Sequence, residues 1–346
     1  MRALIACTIC VAAAGCAQIF GLEAPGVRGD AAPGDAGPFC FGTFTPPGVC
    51  FMHEPTGEID LLPQVSTDDA CSADLATEIG ACVIAAQTVR VSTATRVRGG
   101  RPLVLVATER VEITGTLDVA GHLADGAGPG AVASCAFAGM LSKQDGGAGG
   151  SYQALGGDGG IGGGGSDSGT AVAVAAPTSV RGGCPGETGG PDTGATATGL
   201  GGGGGGAVWL IGGAIAIMGT IDASGSGGKG AQMLQQGGGG GGAGGMIVLD
   251  SPMLDAGAGT IFADGGGGGA GANGAAGGDG GEPDGAVAAA GGTGPAGAGG
   301  AGAHGATLTG ERGGNFDTAG AGGGGGAAGW IFANGCATCS PAATAF

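Results

Sequence analysis

Eleven cysteines, three histidines and one pair of aspartates are the side chains whose type and spacing could support chemistry in this chain. The aspartates hold the same place in two similar stretches, Gly115-Thr116-Leu117-Asp118 and Gly219-Thr220-Ile221-Asp222. If those stretches stack, like charges meet, one carboxyl pKa rises, and a general acid results. A third stretch, Gly259-Thr260-Ile261-Phe262, carries Phe262 at that place, and no Arg or Lys aligns beside the pair. Solvated carboxylates beside a turn are therefore the plainer expectation, and no catalytic residue is assigned. His53, His122 and His304 have no Cys, Asp or Glu at ligand spacing, so no metal site is expected. Cys336-Ala337-Thr338-Cys339 has redox or half-zinc spacing but neither a second such pair nor a nearby His. Gly227-Gly228-Lys229-Gly230 lacks the Ser or Thr that a phosphate loop uses to reach Mg²⁺. No cofactor is expected.

The start of the chain speaks to destination. Met1-Arg2, an apolar run from Ala3 to Ala14 and then Gly15-Cys16 follow the order of an export signal. The run is too short to cross a bilayer. Ala13-Ala14-Gly15-Cys16 resembles the bacterial lipobox, which implies removal of residues 1–15 and acylation of Cys16 as the new first residue. An ordinary export signal cut near Ala17 is the alternative. Ala17 in place of Asp after the cysteine implies, by the same resemblance to Gram-negative lipoproteins, sorting to the outer membrane. The expected partner is the membrane itself, held through acyl chains worth about 0.8 kcal/mol per buried CH₂. Residues 16–38, rich in Gly, Ala, Pro and Asp, then read as a flexible tether.

Setting aside Cys7, Cys10 and Cys16 leaves Cys40, Cys50, Cys71, Cys82, Cys135, Cys184, Cys336 and Cys339. An even set in an exported chain implies disulfides. About 105 connectivities are open to eight cysteines, and joining sequence neighbours is the simplest: 40 with 50, 71 with 82, 135 with 184, 336 with 339.

The elements that would position these residues are unusual in composition. Gly supplies 92 of 346 residues, 12 before position 101 and 80 after it, so much of the chain brings no side chain to a core. The net charge of −17 argues against nucleic acid, which needs clustered Lys and Arg. Arg90, Arg96, Arg98, Arg101 and Arg110 do lie close together, but valines interleave them at strand spacing, as outward residues on strands; a basic groove for an acidic polymer is the other reading. Residues 39–100 read as a small, mostly β, disulfide-bonded cap with one short helix within Asp68 to Ile79.

Beyond position 100 the informative feature is a repeat. Val104 to Gly121 aligns without gaps with Val208 to Gly225, and an imperfect copy runs from Met246 to Gly265. The apolar run Gly329 to Ala333 resembles the opening of a fourth. Val111, Ile113, Leu117 and Val119 share one parity, and Arg110, Glu112, Thr116 and Asp118 the other, which is the pattern of a strand with one buried face. Gly115 falls at a corner. One such coil cannot bury its own apolar row, so the copies must stack. The expected fold is all-β: a short parallel β-helix (β-solenoid) over 101–335 with long Gly-rich loops, followed by a C-terminal tail, 336–346. The Gly-rich tracts lack Gly-X-Y spacing, which excludes collagen. They are either disordered or packed as polyproline-II-like rods bonded laterally.

The Gly-Thr-Ile-x-Ala-x-Gly-Gly pattern after Gly-rich runs resembles the repeats of bacterial surface β-helix proteins, adhesins and autotransporter passengers among them. The polyglycine tracts are similar to those of Gly-rich mycobacterial surface repeats and phage tail-tip adhesins. This resemblance implies a non-enzymatic envelope lipoprotein with a structural or adhesive role, contacting surface glycans or other envelope proteins. Two alternatives stay open: a β-helix lyase or hydrolase of polysaccharides using Asp118 and Asp222, and a passive polyglycine surface for glycans or ice.

Overall fold

The computed structural model describes residues 38–44, 48–69, 71, 74–76, 79–139, 141, 144–165, 167–190, 199–232, 235–334 and 338–339. Residues 39–346 cluster as one unit. The described residues are all-β and contain no helix. In chain order the strands are β1 (Phe39–Phe41), β2 (Val49–Phe51), β3 (Glu58–Asp60), β4 (Gln64–Ser66), β5 (Cys82–Val91), β6 (Thr95–Arg98), β7 (Leu103–Ile113), β8 (Thr116–Asp118), β9 (Phe137–Ala138), β10 (Thr170–Ala171), β11 (Ala207–Ile217), β12 (Thr220–Asp222), β13 (Met246–Asp250), β14 (Met253–Asp255), β15 (Thr260–Phe262), β16 (Trp330–Asn334) and β17 (Thr338–Cys339).

Two parallel sheets organise them. The larger runs β16-β13-β11-β7-β5-β3, with β14 and β17 continuing the rows of β13 and β16, and the smaller runs β15-β12-β8-β6-β4. β3, β5, β7 and β11 are each followed in the chain by a strand of the smaller sheet, as β13 with β14 is by β15, and each successive set lies alongside the one before. Between the sheets, Val91, Ile113, Leu210, Ile217 and Leu249 meet Val65, Val97, Leu117, Ile221 and Ile261 in one continuous core. Each such burial contributes about 1.5–3 kcal/mol. The alternation seen at Val111, Ile113, Leu117 and Val119 is therefore a buried face, and all four are fully enclosed.

The first halves of the long strands are buried on both faces. Val104, Val106, Trp209, Ile211, Met246 and Val248 form a second apolar layer outside the larger sheet, covered by Val49, Phe51 and Tyr152. The Asp250 carboxylate holds that cover in place, accepting hydrogen bonds from Thr43 N at 2.6 Å, Thr43 Oγ1 at 3.0 Å and Phe44 N at 3.1 Å.

Three expectations change in detail. Residues 58–98 are not a separate cap: β3 to β6 supply the first rungs of both sheets. β1 pairs antiparallel with β2 apart from those sheets, as β9 does with β10. The helix expected between Asp68 and Ile79 is absent from the described residues there, where Leu75 bridges Phe51. The gap-free alignment holds from Arg110↔Ala214 onward but is one residue out before it, where Leu103 pairs with Val208. The cause is a β-bulge. Thr108 and Glu109 of β7 stand opposite the single residues Gln87 of β5 and Gly213 of β11, an irregularity that gap-free comparison cannot reveal.

Glycine builds the rest. The corner glycines stack, Thr220 N donating to Gly115 O and Thr260 N to Gly219 O, both at 2.9 Å. A Cβ on Gly219 would strike the Gly115 carbonyl. Beyond the small sheet, the described Gly-rich residues are ordered extended segments bonded side by side. In the segment 237–245, N–H groups of 238, 241 and 244 donate to 321, 324 and 327; those of 239, 242 and 245 donate to 229, 226 and 223; those of 237, 240 and 243 donate to 190, 187 and 184. Its carbonyls in turn accept from 147 and 150, from 202 and 205, and from 266 and 269. A three-residue period with every bond lateral is polyproline-II geometry, and six neighbours surround this rod. Segments 265–272 and 320–329 are bonded in the same way, each donating to three other segments and accepting from three. Of the two states open for these tracts, the packed one is observed. Side chains are excluded because the rods nearly touch: a Cβ on Gly240 would meet Ala148 O, and one on Gly245 would meet Gly206 O, far inside van der Waals contact.

Candidate functional site

The paired aspartates sit on the outer face of the smaller sheet. Pairing across its strands lines up Gln64, Arg96, Asp118, Asp222 and Phe262 as one row. Adjacent rungs of a sheet are about 4.8 Å apart, so the two carboxylates are direct neighbours. The expectation that no basic residue aligns beside them is corrected: Arg96 of β6 is in register with Asp118, a relation hidden because its rung precedes the recognisable repeat.

The row is wired into a cluster. Arg96 Nη1 lies 3.1 Å from Asp118 Oδ2, and Arg96 Nη2 lies 3.1 Å from Asp125 Oδ2, which Arg98 also reaches at 3.0 Å. His122 Nε2 stands 3.2 Å from both Asp118 oxygens, while His122 Nδ1 faces Glu282 Oε2 at 3.3 Å. Glu282 Oε1 accepts a short hydrogen bond from Leu123 N. This cluster fastens the tract after β8 to the tract after β15, two segments 160 residues apart in the chain.

Electrostatics divide the two aspartates. Burial pushes the Asp222 carboxyl up to about 6, helped by the neighbouring Asp118 charge and opposed by hydrogen bonds from Ser224. Asp118 is also pushed up by burial, but hydrogen bonds from His122 and Ala120 and the charges of His122 and Arg96 prevail and hold it below the usual carboxylate value. His122 is raised to about 9 by its hydrogen bonds to Asp118 and then Glu282. Glu282 is lowered, chiefly by the bond from His122. Near neutrality the row thus holds an ionised Asp118 clamped between cations and an Asp222 that titrates within reach of physiological pH. Chemically it could donate a proton from Asp222, or act as a charged staple.

Other sequence candidates are distributed elsewhere. Disulfides join Cys40 to Cys50, Cys71 to Cys82 and Cys135 to Cys184, the pairs that sequence neighbourhood suggests. Cys336 and Cys16 lie outside the described residues, as do residues 1–37 with the export signal and tether; of Cys339 only the backbone, in β17, is described. His53 faces Asp74 at 3.3 Å on the surface. His304 Nδ1 lies 2.9 Å from Asp264 Oδ2, a pairing that nothing in the sequence signals because the residues are 40 apart on different rods. Among the described residues no three His, Cys, Asp or Glu side chains gather as a metal site. No protein-family model, curated protein or solved structure matches the chain.

Proposed function

We propose that this protein is a non-enzymatic cell-envelope lipoprotein with a structural or adhesive role, anchored through Cys16 to the outer membrane. In this reading the rungs of the two sheets are coils of a short parallel β-solenoid of the kind used on bacterial surfaces, and the glycine rods form its third side. The observation that carries the reading is the rod array itself: three central segments, each bonded to six neighbours, build a rigid block with few side chains to spare for chemistry. Disulfides across three parts of the chain fit an oxidising location. Most charges of the acidic row are committed to one another, which favours a staple over a reaction centre. Palmitate labelling tests the anchor: incorporation in the wild type and none in Cys16→Ser is expected, and a labelled Cys16→Ser or an unlabelled wild type overturns it.

The second reading, a polysaccharide lyase or hydrolase, rests on Asp222 titrating near 6 beside an ionised Asp118. Incubation with acidic glycans separates the two. Unsaturated or reducing ends that vanish in the Asp118→Asn, Asp222→Asn double variant favour the enzyme; none are expected. A passive polyglycine surface for ice or glycans would instead retain its ligand without turnover.

A further inference from the structure

At the far edge of the two sheets, where β15 and β16 are the last strands of their rows, the structure forms a half-open hollow of about 710 Å³. That volume lies within the range of small-ligand sites. Its walls include Ile261, Phe262, Trp330 and Phe332, and its polar side chains include Gln153, Asp264 and His304. The Trp330 and Phe332 rings stack with centroids 5.3 Å apart and planes within 6°, making an aromatic step. The Asp264 side chain is only 9% exposed and bonds His304 Nδ1 at 2.9 Å. With Nδ1–H given to Asp264, the imidazole keeps Nε2 as an acceptor, and that nitrogen makes no hydrogen bond among the described residues. Both groups are held in place. Asp264 N donates to Ser224 Oγ at 3.1 Å, and His304 sits in a tight turn closed by two 3.0 Å backbone bonds with Thr307.

The repeat makes Asp264 stand out. The equivalent places in the preceding copies are Ala120 and Ser224, small residues that the same backbone accommodates. A buried carboxylate costs desolvation that Ser or Ala avoids, a cost that hydrogen bonds from His304 and from the Gly305 backbone oppose. Convergent polar groups beside an aromatic step in a preformed hollow are the marks of a ligand site.

We propose that this cavity binds a neutral saccharide ring, its C–H face against the aromatic step and a hydroxyl donated to His304 Nε2. The negative face of an aromatic ring attracts weakly positive C–H groups, and a polyhydroxylated ring offers both surfaces at once. A chain of net charge −17 disfavours an acidic sugar. The site deepens the adhesive side of the proposed function and rests on that reading for its surface setting, but its test in solution does not depend on the lipid anchor.

The test is titration of the purified full chain with maltotriose, cellotriose, mannotriose and N-acetylchitotriose, and with trigalacturonate as the acidic probe. Binding is read by saturation-transfer NMR and by tryptophan fluorescence, where Trp330 is the responsive ring because Trp209 is 1% exposed. At least one neutral trisaccharide should bind, with affinity about tenfold or more weaker in Asp264→Ser and in His304→Phe, consistent with loss of one hydrogen bond. Unchanged thermal unfolding shows that Asp264→Ser remains folded; if it does not, His304→Phe, on an exposed turn, decides alone. The proposal is overturned by no neutral binding up to about 10 mM, by preference for trigalacturonate, or by affinity indifferent to the folded variants. A failed palmitate label with intact sugar binding would strike the anchor and leave this site standing.

Discussion

Replacing Gly242 by Ala should destabilise the protein, although by composition it is one glycine among many in a polyglycine run. Gly242 lies in the central rod 237–245, donates to Ser226 O at 2.9 Å and accepts from Gly266 N at 2.9 Å. A methyl at this position would land on the Gly203 carbonyl. Making room means parting this rod from 199–206, which loosens the bonds Gly202 N to Gly240 O and Gly205 N to Ala243 O, both 2.8 Å. Two such bonds contribute about 0.5–1.5 kcal/mol each, and overpacking a rigid interior costs about 1–3 kcal/mol more. Against this, Ala restricts the unfolded chain and returns about 0.4–1 kcal/mol. The balance is a loss of about 1–6 kcal/mol, measured by denaturant unfolding of the oxidised protein and accompanied by a thermal midpoint several degrees lower, at about 2–4 °C per kcal/mol. In a mobile tract Ala would restrict the folded and unfolded chain alike, and the effect on stability would vanish. A neutral or stabilising Gly242→Ala therefore refutes the packing argument. Ala243 beside it is the internal contrast, since its methyl points into the apolar layer outside the larger sheet.

Three further outcomes follow from the same geometry. Joint replacement of Cys135 and Cys184 by Ser should cost about 4 kcal/mol by the loop-closure argument, read as a lower denaturation midpoint, because their bond closes a 49-residue separation. His122 is held at about 9 against 6.5 when unfolded, so its stabilisation is complete below about pH 6.5 and is lost as pH rises through 9; it amounts to at most about 3 kcal/mol. His122→Gln should flatten the stability profile between pH 7 and 10, and a variant profile parallel to the wild type would refute the clamp. For Asp222 burial itself is the cost: its folded value, about 6, exceeds 3.8, so stability is lost as pH rises from about 4 to 6 and the full penalty persists above that. Asp222→Asn should be more stable than wild type at pH 8, by up to about 3 kcal/mol, with the gap closing below pH 4; a destabilised variant at pH 8 contradicts the burial argument.

Much of the strand framework is legible in sequence because burial on one face imposes alternation, as at Val111, Ile113, Leu117 and Val119. Local cysteine pairs are legible for a similar reason, since short loops close easily. The bulge at Thr108 and Glu109 is not, because one extra residue is compensated when two strands of unequal count are compared without gaps. Residues 58–98 read as a cap because β3 to β6 carry no copy of the Gly-Thr corner, yet their backbones continue the same hydrogen-bond rows. The site was half visible. Repetition exposes the Asp118 and Asp222 neighbourhood, but Arg96 and Glu282 are brought to it, and Asp264 to His304, by pairing and rod packing that leave no periodic trace. For the glycine tracts, composition alone fits both a mobile chain and a packed one, and only the three-residue order of lateral bonds tells them apart.

Amide hydrogen exchange on the purified, oxidised full chain tests the packed glycine rods most directly. Residues 237–245, 265–272 and 320–329 donate their N–H groups to neighbouring rods, so their protection should match that of β11 and be lost only with global unfolding. Exchange in those segments at the rate of an unstructured peptide, while β11 stays protected, would contradict the account.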